Sequence, residues 1–236
     1  MSRARLWAIV PAAGAGLRMG ADRPKQYLPL AGRTVLDHAL GALLAEPRVE
    51  LLVLVVARGD DAWREIVGDE PRVTTAAGGA ERCHSVLSGL EALAGRAAED
   101  DWVLVHDAAR PCLGGGDLER LVAALEDEPA GGLLAVPLAD TLKRGSPDLR
   151  VEGTVPRAGM WRALTPQAFR YGLLRDALRA CVAAGDLVTD EAAAMERAGH
   201  RPKLVPGSAA NIKVTGPEDL AVAEAVLAAR REQRCG

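Results

Sequence analysis

The sequence predicts an α/β fold: a Rossmann-like, mostly parallel sheet with helices on both faces, plus a projecting β-hairpin arm. Three observations carry this. Continuous apolar runs recur at 6–10, 51–57, 72–76, 102–106 and 132–136. Amphipathic stretches with helical spacing lie between them. After Val136 the alternation stops and Gly, Pro and Ser punctuate the chain up to about residue 160. Strands that read as unbroken apolar runs are those buried on both faces, which is the condition of a parallel sheet covered by crossover helices.

The elements follow in order. A first strand at 6–10 runs into a glycine-rich segment at 11–27. A helix over 34–44 places Val35, Leu36, Ala39, Leu40 and Leu43 on one face. The strand at 51–57, a short helix at 62–67 and a strand at 72–76 come next. A helix over 81–93 carries Val86, Leu87, Leu90 and Leu93, and a helix over 117–125 carries Leu118, Leu121, Val122 and Leu125. The strands at 102–106 and 132–136 flank that second helix. Residues 137–160 read as the arm: extended pieces at 138–143 and 149–155 are separated by Gly-Ser-Pro-Asp at 145–148, a turn composition. Helices at 168–184 and 190–198 and short strands at 204–205 and 212–214 follow. The last helix opens at Thr-Gly-Pro-Glu (215–218), a capping-box pattern with an early proline. No repeat or linker divides the chain, so residues 1–236 read as one domain with its arm.

Composition narrows the function. A net charge of −3 gives no general attraction to nucleic acid or to an acidic membrane surface, so any cationic site is local. The apolar runs fall far short of the roughly 20 residues a membrane helix needs. The four cysteines form no C-x-x-C pair and read as reduced, cytoplasmic thiols. The four histidines have no metal-ligand spacing. Lysine occurs at only 25, 143, 203 and 213 among 29 basic residues. Where arginine is the default cation, a retained lysine marks a place suited to a compact ammonium.

Residues 11–27 carry the chemistry. Gly14, Gly16 and Gly20 let backbone N–H groups approach an anion, and Arg18 and Lys25 add two cations, which together make a polyphosphate grip. It is not the dinucleotide fingerprint, because Met19 stands where the third glycine is required, nor the Gly-Lys-Ser/Thr phosphate loop, because Lys25 is flanked by Pro24 and Gln26. A plain strand-to-loop turn with surface cations is the competing reading of this segment taken alone.

Further blocks occur along the chain: Pro-Ala-Ala-Gly-x-Gly-x-Arg-Met at 11–19, Pro-Lys-Gln at 24–26, Gly-Gly-x-x-Arg-x-x-Ser-Val at 78–86, His-Asp-Ala-Ala-Arg-Pro at 106–111, Leu-Thr-Pro-Gln at 164–167, Thr-Asp-Glu at 189–191 and Asn-Ile-Lys-Val-Thr at 211–215. Together they resemble the signature of the 2-C-methyl-D-erythritol 4-phosphate cytidylyltransferases and extend from residue 6 to about residue 229. The first block alone is shared with many sugar-nucleotide transferases. The resemblance implies a nucleotidyltransferase fold, with CTP and methylerythritol phosphate as small-molecule substrates. Transfer of the cytidylyl group would release pyrophosphate, within the non-mevalonate route to isoprenoids. It also implies Mg²⁺ as cofactor and a homodimer whose arm reaches the partner subunit.

By the same resemblance, Arg18 and Lys25 grip the triphosphate, and Arg157 and Lys213 hold the incoming phosphate in line. Ala12, Ala13, Gly14, Gly16, Gly79 and Ser85 surround the nucleotide. Asp107 is the nearest candidate carboxylate for the metal, which the nucleotide phosphates mainly hold. Arg110, Thr141, Thr165 and Thr189 are offered to the sugar-alcohol phosphate. Bland alternatives stand beside several of these. Arg82 and Arg110 read equally as ion-pair partners, Asp107 as a turn residue, Thr189 as the cap of the helix beginning at 190, and Arg157 as a solvated arm residue. For the whole chain, the alternatives are a ribitol 5-phosphate cytidylyltransferase and a non-catalytic nucleotide-binding relative.

The residue types suit such a transfer. A phosphate nucleophile has a second pKa of about 6 and is already ionised near neutral pH, so no side-chain base is needed. The obstacle is charge: two unit charges 4 Å apart repel by about 4 kcal/mol at an effective dielectric of 20. Catalysis then reduces to positioning and fixed cations.

Overall fold

The computed structural model describes residues 5–14, 23–126 and 128–235. Its core is a seven-stranded sheet. The strands are β1 (Leu6–Pro11), β4 (Val49–Val56), β5 (Val73–Ala77), β6 (Trp102–Val105), β7 (Gly131–Pro137), β10 (Trp161–Arg170) and β11 (Lys203–Pro206), in the order β11-β7-β10-β6-β1-β4-β5. β10 alone runs antiparallel to its neighbours β6 and β7; the other pairings are parallel.

The alternation of side chains along each strand sorts the core into two layers. Leu6, Ala8 and Val10 of β1 face α1 (Val35–Leu44), α2 (Trp63–Val67) and α4 (Gly115–Ala124). Trp7 and Ile9 face α3 (Arg82–Ala92), α5 (Tyr171–Ala183) and α6 (Glu191–Arg197). A smaller cluster of Leu30, Val35, Cys112, Val214 and Ala223 seats the last helix, α7 (Pro217–Cys235), against the hairpin of β2 (Pro29–Leu30) and β3 (Arg33–Thr34). The arm is a separate hairpin of β8 (Leu142–Gly145) and β9 (Val151–Val155). Leu149 and Val151 near its tip are exposed.

Four expectations are corrected. Residues 161–170 form β10 rather than the approach to a helix, and α5 begins only at Tyr171. Thr165 and Gln167 are buried polar residues and Pro166 interrupts the run, so neither a period of two nor a clean apolar stretch marks the strand. The pairing with β7 is irregular between Ala163 and Gln167, where Pro166, which has no N–H to give, is accommodated. Residues 212–214 form no strand; Val214 N–H donates a single hydrogen bond to Ala109 O (2.8 Å). Asp190, not Thr189, caps α6, by accepting from Ala193 N–H (3.0 Å). At α7 the acid that reaches back is Asp219 rather than Glu218; it accepts from the Thr215 and Gly216 N–H groups and the Thr215 hydroxyl.

The chain leaves β1 and builds β4 and β5 on one side, then returns to place β6 on the other. The junction of β1 and β6 is therefore the point where strand order reverses, and ligands of open α/β sheets bind there, beyond the carboxyl ends of the strands.

Candidate active site

A cleft of about 600 Å³ opens at that junction. Pro11 ends β1 there and Ala12, Ala13 and Gly14 follow it, Asp107, Ala108 and Ala109 follow β6, and Gly79, Ala80, Glu81, Arg82 and Ser85 come from the entry and first turn of α3. Lys25 and Gln26 enter from the short 3-10 turn Lys25–Tyr27, and Lys213 and Thr215 from the segment before α7.

Each wall is held by buried polar side chains. The Gln26 amide donates to Ala12 O (2.7 Å) and Gly14 O (3.4 Å), which fixes the exit of β1. Ala12 N–H is also committed, to Val55 O (2.7 Å). The Ser85 hydroxyl accepts from Gly79 N–H (3.1 Å) and donates to Glu81 O (3.2 Å). The glycines before it are needed for space: a Cβ at Gly78 would stand 2.3 Å from Ala13 Cβ, and one at Gly79 2.4 Å from His84 Cβ.

Asp107 gathers the cations. Its Oδ1 accepts from Arg82 Nε (3.1 Å), and its Oδ2 lies 2.9 Å from Lys213 Nζ and 3.5 Å from Arg110 Nε. Burial works to raise this carboxyl, but Arg82, Lys213 and Arg110 outweigh it and hold it well below the usual carboxylate range. Lys25 Nζ donates to Val214 O (3.0 Å), so the first amine rests against the segment that carries the second.

Behind Asp107 stands a fully buried histidine. His106 Nε2 is 3.1 Å from Arg110 O, which only accepts, so the proton is on Nε2. Nδ1 then accepts from the Thr165 hydroxyl (2.9 Å), which itself accepts from Asp107 N–H (3.1 Å). Burial pushes the imidazole down to about 4. Asn211 completes this frame: its amide donates to Thr165 O (2.7 Å) and its backbone O accepts from Arg110 Nη1 (2.8 Å).

Of the residues singled out in the sequence, Ala12, Ala13, Gly14, Lys25, Gly79, Ser85, Asp107 and Lys213 line the cleft together. Arg110 and Thr165 are buried behind it, and the Thr165 hydroxyl already serves His106 and Asp107. Thr189 is exposed next to the α6 cap. Thr141 and Arg157 are exposed on the arm and are not among the cleft-lining residues. Gly16 and Arg18 lie outside the described residues. Sequence reasoning gave no role to Gln26, His106, Glu191 or Asn211. Their signal was membership of the motif blocks at 24–26, 106–111, 189–191 and 211–215.

The chain's motif blocks thus converge on one cleft, and the profile of a single family spans them: 2-C-methyl-D-erythritol 4-phosphate cytidylyltransferase, matched over residues 6–229. The chain belongs to this cytidylyltransferase family. A member from Ectopseudomonas mendocina is 52% identical over 232 residues, covering 98% of this chain and 99% of the relative. One from Pseudomonas aeruginosa is 55% identical over 216 residues, covering 91% and 92%. Among solved structures, a 4-diphosphocytidyl-2C-methyl-D-erythritol synthase superposes with a TM-score of 0.84 at 39% identity, covering 95% of this chain and all of that one. The cytidylyltransferase of Thermus thermophilus gives 0.78 at 30%, covering 94% and 98%. The α/β sheet of this chain is thus the fold of the family's solved members. No helix among the described residues is long and apolar enough to cross a membrane.

Proposed function

We propose that this cleft transfers the cytidylyl group of CTP to 2-C-methyl-D-erythritol 4-phosphate, giving 4-diphosphocytidyl-2-C-methyl-D-erythritol and pyrophosphate. One observation carries the reading. Amines from near the two ends of the chain, Lys25 and Lys213, line one cleft whose floor is small residues and backbone. The other two lysines serve elsewhere: Lys143 bonds Thr154 within the arm and Lys203 bonds Ala124 O and Glu128.

An oxygen of the acceptor phosphate forms the new bond to the α-phosphorus while the bond from that phosphorus to the bridging oxygen breaks, and pyrophosphate leaves with the electron pair. The nucleophile is already an anion, so no base is required. His106 supplies none, since both its ring nitrogens are occupied. Lys25 and Arg18 are assigned to the triphosphate and the charge that develops on it, and Lys213 to the acceptor phosphate. Ala13, Gly79 and Ser85 read the cytosine edge, where an unpaired buried partner penalises uracil.

Magnesium is assigned to accompany the triphosphate. Among the described residues no three ligating side chains cluster. Glu81, at the cleft edge, is occupied in capping α3, and Asp107 carries three cations. That set suits an ion held chiefly by phosphate oxygens, in the manner usual for Mg²⁺, with Asp107 as the nearest carboxylate. Bound there, the ion would neutralise charge on the phosphates.

Arg157 and Thr141 are assigned to the acceptor site of a second copy. Their exposure on an arm with unpaired apolar side chains, Leu149 and Val151, supports a homodimer joined through the arm. The reaction is placed in the cytoplasm, in keeping with the buried free thiols of Cys83, Cys112 and Cys181.

Pyrophosphate release, assayed with CTP and each sugar-alcohol phosphate in turn, tests the reading. Turnover with methylerythritol phosphate is expected. Turnover with ribitol 5-phosphate alone would replace the acceptor, and CTP binding without product would replace the enzyme by a nucleotide-binding protein.

A further inference from the structure

The ion-pair chain at the cleft does not end at Asp107. Arg82, whose Nε holds Asp107 Oδ1, gives both of its terminal nitrogens to Glu191 at the start of α6: Nη1 to Oε1 at 2.6 Å and Nη2 to Oε2 at 3.0 Å. Glu191 is fully buried and 109 residues away in sequence. The charges alternate from the interior to the cleft: Glu191, Arg82, Asp107, then Lys213.

We propose that Glu191 is a positioning residue for the Lys213 amine: by occupying both Nη groups of Arg82 it leaves only the Nε edge for Asp107, and so sets where the Asp107 carboxylate and the amine on its far oxygen stand. The inference rests on the functional reading above for what Lys213 does, but not for where Lys213 sits.

The geometry argues against a mere tie between helices. A planar guanidinium presents donors in a fixed fork, so a bidentate partner on the Nη edge dictates the direction of Nε. Arg82 lines the cleft. With its Nη groups released, it could turn them toward the phosphates or take both Asp107 oxygens, and either displaces Lys213 from its 2.9 Å contact. α6 is in turn fixed at this point by its own contacts with β10. Gln167 accepts from Ala192 N–H (2.8 Å) and donates to Asp190 (2.9 Å), so the Glu191 backbone has little freedom to follow Arg82. A buried carboxylate of this kind is costly unless fully paired. Burial pushes the Glu191 carboxyl up and Arg82 draws it back.

The test is Glu191→Gln in the full chain, read three ways. Lysine-selective ¹⁵N labelling gives four side-chain signals, because the chain has four lysines. The Lys213 signal is expected to shift while those of Lys143 and Lys203 stay in place, with no substrate present. The Michaelis constant for the acceptor phosphate is expected to rise about tenfold, and that for CTP to change less than twofold. A lowered melting temperature with an unmoved Lys213 signal would overturn the proposal and leave Glu191 as packing only. A shifted Lys213 signal with an unchanged acceptor constant would leave the positioning intact and count instead against the role given to Lys213. Should Glu191→Gln not fold, Arg82→Lys serves. It retains the buried cation but cannot span both carboxylates, so the Lys213 signal should shift in the same way. An unmoved signal there overturns the proposal.

Discussion

Acidification should weaken this protein in part through His106. The unfolded chain holds a histidine near its ordinary value of 6.5, whereas the folded imidazole is pushed down to about 4 by complete burial. Between those values the unfolded state binds a proton that the folded state does not. Stability from this group is therefore complete above pH 6.5 and is lost as pH falls toward 4. At 1.36 kcal/mol per unit the loss is about 2 kcal/mol by pH 5 and about 3 kcal/mol by pH 4. For a urea slope of about 2 kcal/mol/M, the denaturation midpoint falls by about 1 M between pH 7 and pH 5 from this source alone. Other groups titrate as well, and Glu191, whose carboxyl burial pushes up, acts in the opposite sense. The comparison that isolates His106 is urea denaturation of the native chain and of His106→Asn at both pH values. The variant loses two buried hydrogen bonds and starts from a lower midpoint, but its further loss on acidification should be smaller by about 2 kcal/mol. Equal losses in the two proteins would refute the buried, neutral imidazole.

Three further outcomes are expected. Lys25→Ala should lower turnover by orders of magnitude with little change in melting temperature; near-normal turnover would remove Lys25 from the mechanism. Arg157→Ala should raise the Michaelis constant for the acceptor and spare that for CTP. If the acceptor constant does not change, the assignment of the arm residue fails. Gly78→Ala forces a Cβ to 2.3 Å from Ala13 Cβ and 3.3 Å from Ser85 Oγ, so the nucleotide wall must shift. Overpacking of this kind costs about 1–3 kcal/mol, and it should raise the CTP constant. A lower melting temperature with unaltered CTP kinetics would count against the wall at Ala13 and Ser85.

The alternation of apolar runs with helical faces determined most of the fold, because burial on both faces leaves a continuous apolar stretch in each parallel strand. The same reasoning explains the one strand of the central sheet it did not reveal. β10 turns Thr165 and Gln167 inward, where Thr165 meets His106 and Asp107 N–H and Gln167 meets the start of α6. A strand whose interior residues are polar frame-builders has no hydrophobic period to read. The arm was legible from its turn composition, but its exposed Leu149 has meaning only once the rest of the sheet is seen to leave it uncovered.

The cleft divides along the same line. The sequence named Lys25 from its glycine-rich segment and the scarcity of lysine, and Asp107 and Lys213 through the family blocks in which they stand, which are local facts. It left open whether Arg82 and Arg110 were ion-pair partners, and only tertiary structure decided that. Arg82 bridges Glu191 and Asp107, and Arg110 is tied to Asp107 and Asn211 O, through pairings between residues as far as 109 positions apart. Such a pairing leaves no mark in the order of residues, since either charge is locally indistinguishable from a solvated one. Its consequence, a carboxylate shared among three cations at the crossing of β1 and β6, exists only when distant segments are brought within hydrogen-bonding reach.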